Sequence, residues 1–483
     1  MKHTLPIIAA LSLVSCANAP VPVTPPAPEK SLLNMSGELG AHDPTLIKAG
    51  DTYCAFSTGL GRENTNPGGI LVHVSQGDAS GPWVTIGEIP APEITKAFKT
   101  GNVWAPDVVY DAASKKYFLY YAVSEFGTNN SAIGVTSSTD PCKTSTWTDE
   151  GVVLTSKAGV QDYNAIDPDV SIVDGKWYLS FGSFASGLKI TELKDFKTPQ
   201  GDIVTLANRP KTEWNPLEAP AILKKDGYFY LFMSWDFCCQ GLNSTYKIAL
   251  GRSKDIKGPY LDQKGLDLKD GGGTILLNTY LSQKAPGGQD VFTEGDSSYM
   301  VYHHYDSSYF GNPRMQVRKI SWKNGWPHFE ERGTGDDLKV GETYTLKNHV
   351  NNLCLDVKDG GTTPGTDVIQ WTCSGKAQQQ WKLESVKEGY FRLRSMVGNK
   401  DLCLDLQGGN AAPGTNIDVW TCNDLFAQNW FADDMGLGYV RLVGEKTFLA
   451  VDSVFAGGNP GTDVRTWVPN NHPAQNWKFV VVK

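Results

Sequence analysis

Apolar and polar positions in this chain alternate in short runs bounded by Gly, Pro, Asn and Asp. That pattern predicts strands and tight turns throughout. Before residue 334 one unit recurs five times. A polar or acidic group, usually with a proline, leads into an apolar strand, a turn and a second strand rich in aromatics. The copies begin at His42-Asp43-Pro44, Trp104-Ala105-Pro106-Asp107, Ile166-Asp167-Pro168, Glu218-Ala219-Pro220 and Gly288-Gln289-Asp290. Their second strands include Lys116-Tyr117-Phe118-Leu119-Tyr120-Tyr121 and Tyr228-Phe229-Tyr230-Leu231-Phe232-Met233. The prolines at 44, 106, 168 and 220 are 62, 62 and 52 residues apart. A fixed period with about four strands per unit predicts a five-bladed β-propeller. Equivalent blade starts then converge on one central axis. Three of them carry an acid: Asp43, Asp167 and Glu218.

A second repeat begins near residue 341. Gln379-Gln380-Trp381, Gln428-Asn429-Trp430 and Gln475-Asn476-Trp477 lie 49 and 47 residues apart. Each follows a Leu-Asp or Val-Asp strand, with Asp at 356, 405 and 452. Each also follows a Pro-Gly-Thr run into Trp371, Trp420 or Trp467. Three such units, each too small to stand alone, predict packing around a pseudo-threefold axis. The whole chain therefore reads as all-β, with a propeller over 37–333 and the threefold unit over 341–483. The polar, Gly-bearing stretch Glu331–Asp337 is the junction between them.

Composition narrows the function. Gly numbers 50, Trp 14, and charged residues are only 20% of the chain. The net charge is −8 with no long basic run, which argues against a nucleic-acid partner. No internal apolar stretch reaches the ~20 residues of a membrane span. Residues 1–16 read as a lipoprotein-type signal: Lys2 and His3, an apolar run from Leu5 to Val14, then Leu13-Val14-Ser15-Cys16. Cys16 is the candidate lipidated residue; cleavage after Ala17-Asn18-Ala19 is the alternative. Residues 17–36, with five prolines, read as an extended tether. The chain is thus expected outside the cell or on its surface, as a monomer held to the membrane only through a lipid.

Eight cysteines remain after Cys16. Cys354/Cys373 and Cys403/Cys422 repeat at one offset in homologous stretches and are expected to be disulfides. Ala450 and Pro469 replace the pair in the third unit. For Cys54, Cys142, Cys238 and Cys239 the pairing stays open; adjacent Cys238 and Cys239 are either a disulfide or two buried thiols.

Two carboxylic acids flanking a bond are the minimum apparatus for glycoside hydrolysis, one ionised and one protonated. A third acid nearby raises the donor's pKa by like-charge repulsion. Asp43, Asp167 and Glu218 can supply these roles. Asp107, Asp169 and Asp290 read instead as turn acids, placed where the strands leave the axis.

The four acid-bearing or proline-bearing starts, with Asn164-Ala165-Ile166-Asp167-Pro168 as the third, resemble glycoside hydrolase family 43, inverting glycosidases on a five-bladed propeller. Ser234-Trp235-Asp236-Phe237-Cys238-Cys239-Gln240-Gly241, through Asn243-Ser244-Thr245-Tyr246 to Gly251-Arg252-Ser253, resembles the arabinanases of that family. The resemblance implies Asp43 as general base, Glu218 as general acid and Asp167 as modulator of the acid. It implies a largely hydrated calcium ion on the axis, with a histidine of Tyr302-His303-His304-Tyr305-Asp306 beside it; the pattern His-x-Tyr-Asp selects His303. Asn164 is a candidate sugar contact, and Trp104 is either a sugar platform or a blade-packing residue.

The triple QxW unit resembles the ricin-type β-trefoil lectins, carbohydrate-binding module family 13. Its QxW tryptophans are expected in the core. Its sugar contacts are expected at Asp356 with Trp371, Asp405 with Trp420 and Asn423, and Asp452 with Trp467 and Asn470; the first unit has Ser374 in place of the Asn. The combined expectation is hydrolysis of α-1,5-linked arabinan, internally and with inversion, aided by a polysaccharide-binding lectin. The rivals are an α-L-arabinofuranosidase or β-xylosidase on the same fold, and a non-catalytic glycan-binding surface protein.

Overall fold

The computed structural model describes residues 32–482 except 34, 64, 99, 280–282, 307–308, 330–337, 388–389, 437–438, 448 and 471. The signal segment and most of the tether lie outside the described residues, as does the junction Glu331–Asp337. Within the stretch read as tether, the Leu33 amide donates to the Val317 carbonyl and the Ser36 amide to the Ser80 carbonyl. These residues therefore run along the fifth and first blades.

Five four-stranded antiparallel sheets follow, each ordered as the chain runs. Their innermost strands are Thr45–Ala49, Trp104–Asp111, Asp169–Val173, Leu217–Lys225 and Gln283–Glu294. The fifth strand begins five residues before the repeat start at Gly288, and its pairing with Ser297–Asp306 shifts register on both sides of Gly287. Middle strands are buried on both faces because blades stack on one another. Lys116–Ser124 and Ser131–Ser138 are covered almost throughout, which explains their unbroken apolar or small-residue runs.

The repeat motif has a backbone reason. Asp43, Ala105, Asp167, Ala219 and Gly288 all adopt left-handed φ, between 39° and 54°. In four of them a proline follows. The kink turns the chain from the preceding blade into the innermost strand. The fifth position needs glycine: a Cβ at Gly288 would lie 2.3 Å from an Asp43 carboxylate oxygen and 2.7 Å from His303 Nδ1.

Residues 343–481 form the threefold unit, closed by pairing of Thr343–Asn348 with Trp477–Val481. Its core holds Trp381, Trp430 and Trp477, all fully buried, with Leu355, Leu404 and Val451. Their indole N–H groups donate to the carbonyls of Leu355, Leu404 and Val451 at 3.1–3.2 Å. The QxW tryptophans are core, as their sequence position implied.

Among the described residues four disulfides are present: Cys54–Cys142, Cys238–Cys239, Cys354–Cys373 and Cys403–Cys422. The first ties blade one to blade two across 88 residues. Among the described residues no helix is long and apolar enough to cross a membrane.

Candidate active site

One axial cavity is lined by Asp43, Asp107, Asp167, Asp169 and Asp290, together with the prolines and small residues of the blade starts. Glu218 flanks Ala219 at its wall and is itself buried. The kinks sort the acids by position in the repeat. Asp43 and Asp167 occupy the left-handed residue itself, and Glu218 the residue before it. Asp107, Asp169 and Asp290 stand two residues further along.

Each upper acid has its own environment. His42 Nδ1 lies 2.7 Å from Asp43 Oδ2, and Thr58 Oγ1 donates to the same oxygen at 2.8 Å. Burial by itself would raise the Asp43 pKa. The charge and hydrogen bond of His42, with His303 and Thr58, outweigh it and hold the group at about 2. Glu218 moves the other way. Burial and the nearby Asp43 charge push it up to about 7, against the hydrogen bond from Ser183 Oγ at 2.5 Å. Asp167, which accepts the Ala219 amide at 3.1 Å, is raised by burial and by the charges of Glu218 and Asp43. Near neutrality the cavity therefore holds an ionised Asp43 facing acids that retain protons. That is the division of roles an acid–base pair requires.

His303 and His304 face opposite ways, as strand alternation requires. His303 stacks on His42 with ring centroids 3.7 Å apart, and its Nδ1 accepts the Asp43 amide at 3.1 Å. Its Nε2 is buried without a partner. His304 instead lies 3.7 Å from Asp306. His42 is a site residue the sequence reading passed over; its place directly before the first acid was the available signal. Its Nε2 is 2.9 Å from the Tyr305 hydroxyl, which accepts the Cys239 amide at 2.7 Å. The Cys238–Cys239 disulfide thus abuts the residue that holds Asp43.

The lower acids correct the sequence reading. Asp107, Asp169 and Asp290 do not leave the axis. Their carboxylates converge so that one oxygen from each lies within 4.8 Å of the others. They also stitch neighbouring blades: Asp107 accepts the Val170 amide at 2.7 Å, Asp169 the Ile222 amide at 3.3 Å, and Asp290 the Thr45 hydroxyl at 2.6 Å. Burial and mutual repulsion raise Asp107 and Asp169; Asp290 is raised to about 6, with burial as the cause. Three hard oxygen donors around one point suit a calcium-like cation. Trp104 is partly exposed, its indole bonded to Asn102 and its edge toward the exposed Phe126. Asn164 is buried and accepts the Ser131 hydroxyl at 2.6 Å, which ties it into the blade.

In the threefold unit Asp356, Asp405 and Asp452 are buried at equivalent positions of the three repeats. The QxW glutamine donates to each: Gln379 at 2.6 Å, Gln428 at 2.9 Å and Gln475 at 3.3 Å. These glutamines orient the carboxylates, a role the sequence reading did not assign. Trp371, Trp420 and Trp467 are 46%, 47% and 37% exposed. Each indole lies against a glycine of another lobe. Trp371 faces Gly461, Trp420 faces Gly365 and Trp467 faces Gly414; a Cβ on any of these would sit 3.5 Å from the ring. The amides of Asn423 and Asn470 donate to Gln428 and Gln475, and their side-chain oxygens accept local amides. Ser374 takes the same place in the first lobe.

Residues 32–327 match the family described as Glycosyl hydrolases family 43. Residues 329–420 and 398–467 match the Ricin-type beta-trefoil lectin domain-like family. The extracellular endo-alpha-(1->5)-L-arabinanase 1 of Bacillus subtilis is 42% identical over 307 residues, covering 62% of this chain and 91% of that protein. The extracellular exo-alpha-(1->5)-L-arabinofuranosidase ArbA of Cellvibrio japonicus is 34% identical, over 61% of this chain and 88% of its own length. Among solved structures, the family 43 endo-arabinanase from Bacillus licheniformis superposes with a TM-score of 0.56 at 40% identity, covering 62% of this chain and all of that one.

Proposed function

The chain belongs to the glycosyl hydrolases of family 43, and on that premise we propose that it cleaves α-1,5-linked arabinan internally, with inversion of configuration. The observation that carries the mechanism is the opposed displacement of Asp43 and Glu218 across one cavity. Asp43, ionised, takes a proton from water as it attacks the anomeric carbon. Glu218, protonated, gives its proton to the departing sugar oxygen. Asp167, which also retains its proton, places no competing charge beside Glu218 and positions the loop through the Ala219 amide. Internal cleavage is favoured because the 42%-identical relative is an endo-acting enzyme.

Calcium on the axis fits the residues present. The three convergent carboxylates offer hard donors to one point, while His303 converges separately with His42 and Asp43, its Nε2 buried without a partner. When bound, the ion would offset the repulsion among the lower acids; the proton transfers belong to Asp43 and Glu218. The trefoil holds polysaccharide near the cavity, which raises local substrate concentration without altering the chemistry. Export and attachment through Cys16 complete the reading.

Product analysis on linear arabinan tests it. Mixed oligosaccharides whose first-formed reducing ends carry the inverted anomer are expected. Arabinose as the sole product overturns internal cleavage, and no release at all overturns the enzymatic reading.

A further inference from the structure

The three lectin pockets share Asp, Gln and Trp but differ at the residue paired with the Asp on the adjacent strand. Asp356 pairs with Ile369, Asp405 with Asp418 and Asp452 with Arg465. The side chain opposite each pocket carboxylate is therefore apolar, acidic and basic in turn.

In the third lobe Arg465 Nε donates to Asp452 Oδ1 at 3.4 Å. Its guanidinium lies 4.2 Å from the centre of the Trp467 ring and 5.0 Å from that of Phe455. It covers part of the face on which a neutral sugar would stack, in keeping with the lower exposure of Trp467 than of Trp371 and Trp420. The two terminal nitrogens of Arg465 have no protein partner among the described residues, so the outer edge of the planar fork is uncommitted. Phe455 is 87% exposed and adopts φ 52°, where the first lobe has Asp359 and the second Gly408. A bulky side chain rarely occupies that region of backbone space. Here it sets an aromatic at the rim in place of a carboxylate.

We propose that the third lobe binds a carboxylated sugar, a uronic acid unit, with Arg465 as the residue that recognises it. The inference rests on reading the trefoil as carbohydrate-binding. A planar guanidinium pairs with a carboxylate through two parallel hydrogen bonds. The sugar's carboxylate takes the free edge of Arg465 while its C–H face packs on Phe455. The other lobes are built against such a ligand. The second presents Asp405 and Asp418 together, and Asp418 Oδ1 is buried without a partner. The first has Asp359 at its rim, only partly offset by Lys376. With a net charge of −8 the protein as a whole repels polyanions, so an acidic glycan needs a local cation to bind. One trefoil thus presents two sites for neutral sugars and one for an acidic sugar. That combination suits a branched polysaccharide containing both.

Calorimetric titration of the full chain with trigalacturonate, its fully methyl-esterified form, galactobiose and xylobiose tests this. Trigalacturonate is expected to bind and the ester not. Arg465→Ala should weaken trigalacturonate at least tenfold, and Arg465→Lys by less. Thermal unfolding of each variant checks that the lobe is intact, and Arg465→Lys serves if Arg465→Ala does not fold. Equal affinity for acid and ester overturns the proposal, as does wild-type affinity in a folded Arg465→Ala. Binding of the neutral sugars without trigalacturonate overturns it too, while leaving the lectin reading standing. Failure of every sugar, acidic or neutral, overturns both.

Discussion

The hydroxyl of Ser183 donates to Glu218 at 2.5 Å, and this bond opposes the burial that raises the Glu218 pKa to about 7. It favours the ionised carboxylate, so it works against the role of general acid. Activity should fall as pH rises through about 7, because the proton to be donated is then lost. Hydrogen bonds to charged groups contribute about 1.5–3 kcal/mol, and one pKa unit is about 1.4 kcal/mol. Ser183→Ala should therefore move the alkaline limb of the kcat/KM profile upward by about one unit. A limb that stays in place or moves down rejects Glu218 as the group that titrates.

Asp43→Ala and Glu218→Ala should each lower kcat on arabinan by about 10²–10⁴-fold or more. Near-wild-type unfolding temperatures are expected, since neither side chain belongs to an apolar cluster. Asp167→Asn should retain more activity than either and leave the alkaline limb close to its wild-type position, because Asp167 keeps its proton while Glu218 titrates. Wild-type kcat in Glu218→Ala removes that residue from the mechanism.

The lower carboxylates predict a pH-dependent and cation-dependent stability. The pKa of Asp290 is raised to about 6, so its stabilising protonated form is complete below the unfolded value near 4 and is lost as pH rises through 6. Asp290→Asn should raise the unfolding temperature of chelator-treated protein at pH 8 and have little effect at pH 4. Calcium at about 100 times its dissociation constant should stabilise the wild type by about 2.7 kcal/mol, and Asp290→Asn should diminish that gain. Identical melting with calcium and with chelator at pH 8 refutes the axial ion.

The glutamine contacts predict the behaviour of the lectin. Gln428→Ala frees the Asp405 carboxylate and removes a buried bond worth about 1–3 kcal/mol. Retention on a neutral polysaccharide in affinity electrophoresis should drop nearly as far as in Asp405→Ala. Deleting residues after 340 should slow hydrolysis of insoluble arabinan and spare short soluble oligosaccharides. Equal losses on both substrates would mean that the trefoil shapes the cavity itself.

What the sequence made legible followed from local causes. A left-handed residue before proline is a local backbone event repeated in four blades, so Asp43, Asp167 and Glu218 stood out together. The QxW spacing likewise marked three core tryptophans. What stayed hidden depends on closure of the ring. Asp107, Asp169 and Asp290 look like ordinary turn acids one by one, and only the circular arrangement brings them together. The Cys54–Cys142 pair spans two blades and has no repeat to announce it. His42 and Ser183 act on acids through contacts that no periodicity encodes. Arg465 faces Asp452 through strand register, which the spacing of neither residue reveals.

The glycines beneath the three lectin tryptophans limit how this module can be borrowed. The first lobe's platform, Trp371, rests against Gly461 of the third, and the strand that opens the trefoil is sealed by the one that ends it. No lobe is thus a self-sufficient part. A single repeat grafted onto another enzyme would carry its acid and its indole but not the surface that supports the indole. A proteolytic nick near Gly461 would be felt in the pocket of Asp356, at the opposite end of the domain's sequence. Recombination would therefore have to exchange the trefoil whole, with Thr343 and Val481 travelling together.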